Sequence, residues 1–270
     1  MRRIVRGGAI ALVALSFMGL ARAETPLERG TYLMRGIVAC GNCHTPKGPE
    51  GDLPGMELAG GFRIDTEMFS AIAPNITPDR ETGIGRWSDA EIIAAIRDGR
   101  RPDGSIIGPP MPIELYREIS DTDVKAIVAY LRSVKPVSNK VAAKSEYRMP
   151  LPTSYGPPVG PVKEVAREDR RAYGAYLAGP LGHCIECHTP MRPDGQRDFA
   201  NRLGQGGFPF QGPWGVSVSA NITPNGIGQL TDPQVKTEIT KGVRPDGGRM
   251  MPPMAYGHLE QWQFSADIVF

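Results

Sequence analysis

The chain carries the pattern C-x-x-C-H twice, as Cys40-Gly41-Asn42-Cys43-His44 and Cys184-Ile185-Glu186-Cys187-His188, and these use all four of its cysteines. The pattern marks covalent c-type haem attachment. Two thiols one helical step apart reach the two vinyl groups, and the adjacent imidazole ligates the iron from the proximal side. A thioredoxin-like pair needs no histidine after its second cysteine and sits in a βαβ pattern, which is not visible here. A four-cysteine zinc site would have to join pairs 144 residues apart. The expectation is two covalently attached haem c groups, bound through Cys40, Cys43, Cys184 and Cys187, with His44 and His188 as iron ligands.

The segments around the motifs also repeat. Gly30-Thr31-Tyr32-Leu33 matches Gly174-Ala175-Tyr176-Leu177, and Thr45-Pro46 matches Thr189-Pro190. Further on, Asn75-Ile76-Thr77-Pro78 matches Asn221-Ile222-Thr223-Pro224, and Pro109-Pro110-Met111 matches Pro252-Pro253-Met254. Most matched residues are turn-formers that set backbone paths in loops. This accounts for the 33 Gly and 26 Pro: loops wrap a bound group that supplies much of the apolar core. The reading is two tandem units, 24–137 and 166–270, joined by an extended Pro-rich linker, 138–165, lying over both.

Arg2, Arg3 and Arg6, an apolar run from about Ala9 to Leu20, and Ala21-Arg22-Ala23 form a secretory signal, residues 1–23. The run is too short to span a bilayer, so the expected mature chain is periplasmic with no transmembrane span; a retained N-terminal anchor is the alternative. Cleavage removes four arginines and no acid, turning the formal charge from +2 to −2. Neither value suits a nucleic-acid-binding protein. A basic redox partner or a polar docking rim fits the mature balance better than an acidic surface.

Helices are expected from Leu27 to about Ala39, after the capping box Ser88-Asp89-Ala90-Glu91, after Ser120, and after Thr231. No segment alternates as a strand, so the predicted fold is mainly α with long loops. Gly30 is expected to let the last helix of the first unit cross closely, near Tyr130 and Leu131.

A six-coordinate iron needs a second ligand, and thioether sulfur stabilises the ferrous form. Met111 follows His44 by 67 residues and Met254 follows His188 by 66, each after Pro-Pro, which stiffens the loop. Met250 and Met251 rival Met254 but have no counterpart near Met111. Arg101 and Arg244 are candidate propionate partners or turn caps, and Trp87 is a candidate propionate donor through its indole N–H, with Gln229 in its place in the second repeat. His183 is read as a propionate contact or a surface group, and His258 as structural or exposed.

With these motifs the sequence resembles the dihaem c-type cytochromes, each half similar to a class I cytochrome c domain, and the cytochrome subunits of periplasmic dehydrogenases. The resemblance implies helical haem-wrapping domains, His/Met ligation by His44, Met111, His188 and Met254, and one-electron transfer, without identifying the partner; the leading reading is a carrier between a dehydrogenase and a soluble cytochrome or oxidase. The alternative is a dihaem enzyme such as a peroxidase, with one displaceable ligand; a gas sensor is a third reading. In the resembling family a last helix closes the pocket. After Met254 only 16 residues remain, so that helix is expected to be truncated and the second half less stable.

Overall fold

A computed structural model describes residues 23–212 and 214–256. The leader, His258 and the helix start at Phe264-Ser265-Ala266-Asp267 lie outside these, apart from Ala23.

In the first half, Thr25 and Glu28 form a reciprocal capping box that starts α1 (Pro26–Met34). This helix ends five residues before the expected Ala39. Gly36 and the β-branched Ile37 and Val38 follow, all poor helix formers, and the chain turns into the single-turn α2 (Gly41–His44). Two hairpins follow, β1 (Lys47–Gly48) with β2 (Gly51–Asp52), and β3 (Arg63–Asp65) with β4 (Phe69–Ile72). Their strands have two to four residues, too few for alternation to register in the sequence. The Ser88–Glu91 capping box starts α3 (Asp89–Arg97), as expected, and Gly99 follows it at φ 62°. After α4 (Ile113–Tyr116), Ser120 caps α5 (Asp121–Ser133), which buries Val124, Ile127, Val128 and Leu131. Helices α1 and α5 cross at Gly30. A Cβ there would collide with the Ala126 carbonyl and lie 3.1 Å from Tyr130 Cβ.

The stretch 138–165 contains no helix. Its strand β5 (Glu146–Tyr147) pairs with β4, placing Tyr147 opposite Phe69 and Glu146 opposite Ser70. Asn139 Nδ2 donates to Ala59 O at 2.8 Å, and Tyr155 Oη donates to Ile107 O at 2.8 Å. These contacts all fall on the first half.

The second half contains α6 (Arg170–Tyr176), a π-helical turn (Leu177–Leu181), α7 (Cys184–Cys187), the hairpin β6 (Pro209–Gly212) with β7 (Gly215–Val218), α8 (Pro224–Ile227) and α9 (Asp232–Lys241). Thr231 and Gln234 cap α9 reciprocally. Helix α6 belongs to the core of the first half. Arg29 Nη2 donates to Tyr173 Oη at 3.3 Å, and Tyr176 Oη donates to Asp123 Oδ2 at 2.8 Å. One apolar cluster runs from Leu33 through α5 to Leu181. Among the described residues no apolar side chain after Leu181 is fully buried.

The equivalent glycines of the repeat differ in consequence. Gly174 has open space where a Cβ would go, unlike Gly30. Gly30→Ala is expected to destabilise by about 1–3 kcal/mol through overpacking. Gly174→Ala is expected to be neutral or to stabilise by up to about 1 kcal/mol through helix propensity. Thermal unfolding of the two variants checks the contrast.

Candidate functional site

The two C-x-x-C-H motifs are held by the same set of contacts. Each begins on a single helical turn, α2 or α7, and the following threonine anchors the next loop. Thr45 Oγ1 accepts from Leu58 N at 3.1 Å, and Thr189 Oγ1 accepts from Gly204 N at 3.1 Å. The carbonyls of His44 and His188 accept from Gly60 N and Gly206 N, both at 2.7 Å. Asn75 and Asn221 close the same turn, each Oδ1 accepting from the backbone N of Thr77 or Thr223 at 2.9 Å.

These turns put a carbonyl beside each histidine. His44 Nδ1 lies 2.9 Å from Pro74 O, and His188 Nδ1 lies 2.7 Å from Ala220 O. A carbonyl can only accept, so Nδ1 carries the proton and Nε2 keeps a free lone pair. This is the orientation of a metal-ligating imidazole whose other nitrogen is fixed by an outer partner. Burial pushes both histidines below their ordinary pKa, favouring the neutral form that binds metal. Sequence reasoning missed Pro74 and Ala220, which act through backbone oxygen. The only signal was their position just before the repeated Asn-Ile-Thr-Pro.

No disulfide joins any of the four cysteines. Burial pushes Cys40 and Cys187 up to about 12 and Cys184 to about 11, and raises Cys43 as well. A disulfide-exchanging pair depends on a lowered thiol pKa, so this apolar setting argues against a redox-pair role. Among the described residues no group of three or more His, Cys, Asp or Glu side chains is arranged to hold a metal ion.

A cavity of about 3370 Å³ is lined by both motifs and also by Met111 and Met254. Both methionines are half-buried in loops after a cis Pro-Pro bond, whereas Met251 is exposed and Met250 half-buried on the same cavity. The donor set therefore matches a haem on each half: two thiols, a neutral imidazole with free Nε2, and a thioether on one apolar-walled space.

The halves meet at the motifs. Gly182, two residues before Cys184, is so close to Ile37 that a Cβ there would lie 2.7 Å from its Cδ1. Tyr116 stands edge-on to His183 at 6.0 Å, and His183 Nδ1 lies 3.4 Å from Glu186 Oε2. The Glu186 charge also acts on Cys43. His183 thus sits at the junction between the motifs. Trp87 packs against the core. Arg101 donates to Ile106 O at 3.0 Å within its own turn, and Arg244 is exposed.

Residues 28–135 match the family described as cytochrome c. The chain is 33% identical over 268 residues to the fructose dehydrogenase cytochrome subunit of Gluconobacter japonicus, covering 92% of this chain and 52% of that protein. It is 32% identical over 259 residues to the gluconate 2-dehydrogenase cytochrome c subunit of Pantoea cypripedii, covering 87% and 56% respectively. It therefore spans about half the length of these relatives. Against the diheme cytochrome c-type protein of Cereibacter sphaeroides it is 30% identical over 277 residues, and that match covers 93% of this chain and 90% of the other. A relative so nearly coextensive, together with the repeated imidazole–carbonyl geometry, assigns the chain to the dihaem c-type cytochromes.

Proposed function

We propose that the chain is a periplasmic carrier of single electrons between a dehydrogenase and a downstream acceptor, with one haem c tethered at Cys40 and Cys43 and a second at Cys184 and Cys187. In this reading the axial pairs are His44 with Met111 and His188 with Met254, in tandem units 24–137 and 166–270 that follow a cleaved signal, residues 1–23. The observation that carries it is the duplicated histidine geometry on one cavity. The dehydrogenase subunits among the relatives support the partner class.

Bound haem supplies reversible one-electron exchange at iron. The residues do the rest. Pro74 and Ala220 orient the imidazoles, and the Pro-Pro loops present the methionines. The Ile37–Gly182 contact brings the two attachment segments together.

The test is a spectrum of the oxidised holoprotein with haem counted per chain. We expect two haems, both low-spin with a sulfur-to-iron charge-transfer band. Met111→Ala and Met254→Ala should each remove the band from one haem and lower its reduction potential. A high-spin iron in the unmodified protein would overturn the carrier reading in favour of an enzyme with an open ligand position.

A further inference from the structure

We propose that the β6–β7 hairpin is the docking surface for the redox partner, and that the partner adds an extended strand, uncharged where it touches, beside β7. This rests on the reading of the chain as an electron carrier, and it names where that exchange occurs.

The first half contains the precedent. Residues of β4 and β7 correspond at the offset that relates Asn75 to Asn221, so Ser70 and Ile72 match Val216 and Val218. On the first half β5 covers this strand. Ser70 is 2% exposed, Ser145 Oγ accepts from Ile72 N at 2.9 Å, and the Tyr147 ring lies 6.1 Å from Phe69. Tyr147 and Leu151 also close over Gly108 in the Met111 loop. Asn75 Nδ2 holds the start of the same covering segment, donating to Val137 O at 2.8 Å.

Each attachment point has an uncovered equivalent on the second half. Val216 and Val218 are 58% and 60% exposed, and Met251, the counterpart of Gly108, is 42% exposed. Asn221 repeats the Thr223 contacts of its turn, but its Nδ2 has no partner among the described residues. The composition runs against solvent exposure. A buried serine of the covered strand is replaced by a bare valine. Residues 209–218 contain no charge, whereas residues 63–72 contain Arg63, Asp65 and Glu67.

Exposed strand edges are ordinarily protected by charges or by a covering segment, and a bare apolar patch marks an interaction site. The lack of charge also sets the partner's chemistry. A charged side chain laid on this hairpin would lose water and gain no counter-charge. An apolar or neutral strand loses nothing and gains main-chain hydrogen bonds at the edge. The hairpin and Met251 line the cavity that contains His188. A docked strand would therefore lie at the mouth of the second haem site, whereas the chain's own linker closes the first.

The probe is a synthetic peptide of residues 137–151 carrying Glu146→Val and Arg148→Thr, added to the holoprotein while amide hydrogen exchange is followed. We expect exchange at Gly215–Val218 to slow about tenfold or more. The Val216→Lys/Val218→Lys double variant should abolish the effect while the chain still carries two haems, counted on the same samples. Unchanged exchange, or protection that survives in the lysine variant, would overturn the proposal. So would concentration-dependent protection without peptide, which points to a second copy, or protection only by anionic phospholipid vesicles. The absorption spectrum and chemical reduction of the haems are read on the same samples, so a failure of the carrier reading is seen separately from a failure to dock.

Discussion

Asp123→Ala is expected to destabilise the holoprotein by about 3–5 kcal/mol, because it leaves the Arg29 guanidinium buried without its counter-charge. The two side chains are only 6% and 2% exposed, with Arg29 Nε to Asp123 Oδ1 at 2.7 Å and Nη2 to Oδ2 at 3.0 Å. Arg29 Nη1 already has no partner, so the carboxylate is the guanidinium's main compensation. Asp123 also accepts from Tyr176 Oη, whose oxygen accepts from Ser120 N at 3.0 Å. The loss therefore loosens α6 from α5 as well as α1 from α5. A buried pair is strong against removal of one partner and weak against removal of both. Arg29→Met/Asp123→Leu should accordingly recover much of the loss. The exposed Arg63–Asp65 pair, 56% and 60% accessible, provides the control; its removal should be undetectable. Denaturant midpoints measure all three. A loss for Asp123→Ala below about 1 kcal/mol, within the range of an ordinary hydrogen bond, would show that the network does not hold the halves together.

What was legible in the sequence was local chemistry with fixed spacing. Ser88 and Thr231 start helices because a side-chain oxygen and a residue three positions on satisfy end groups within one turn, and Ser120 does so with its hydroxyl alone. Gly30 was readable as a crossing point, although its closest neighbour is the Ala126 carbonyl and not Leu131. The residues that present haem-binding groups were readable because thiols and imidazoles are few and recur in register. Two kinds of feature were not readable. Backbone acceptors such as Pro74 O leave no side-chain signature. Long-range docking also leaves none: Tyr176 matches Tyr32 in the repeat, yet it binds Asp123 on the opposite half. The linker was expected over both halves, and its contacts with Ala59, Phe69 and Ile107 lie on the first. Short hairpins escaped because two to four residues cannot establish a period.

The Cys184→Ser/Cys187→Ser variant is expected to lose one haem per chain and, with it, the protease resistance of residues 184–256, while the first half keeps its spectrum and its fold. The asymmetry follows from where the core lies. Leu33, Ile119, Val124, Ile127, Leu177 and Leu181 are all within about 1% of complete burial and belong to the first half or to the α6 and π-turn segment docked on it. After Leu181, Thr189, Pro190, Asp198 and Thr240 are the buried side chains among the described residues. Burial of apolar surface contributes roughly 25 cal/mol per Å², so a segment with half-covered apolar side chains gains little from its own packing. The haem would supply the missing apolar surface, and its binding energy becomes folding energy for that segment. The matched Cys40→Ser/Cys43→Ser variant should behave differently, because α1, α3 and α5 retain a side-chain core. Limited proteolysis read by mass, alongside haem absorbance per chain, separates the cases. Equal protease resistance of residues 184–256 with and without the second pair of thiols would mean that side-chain contacts alone hold the second half together.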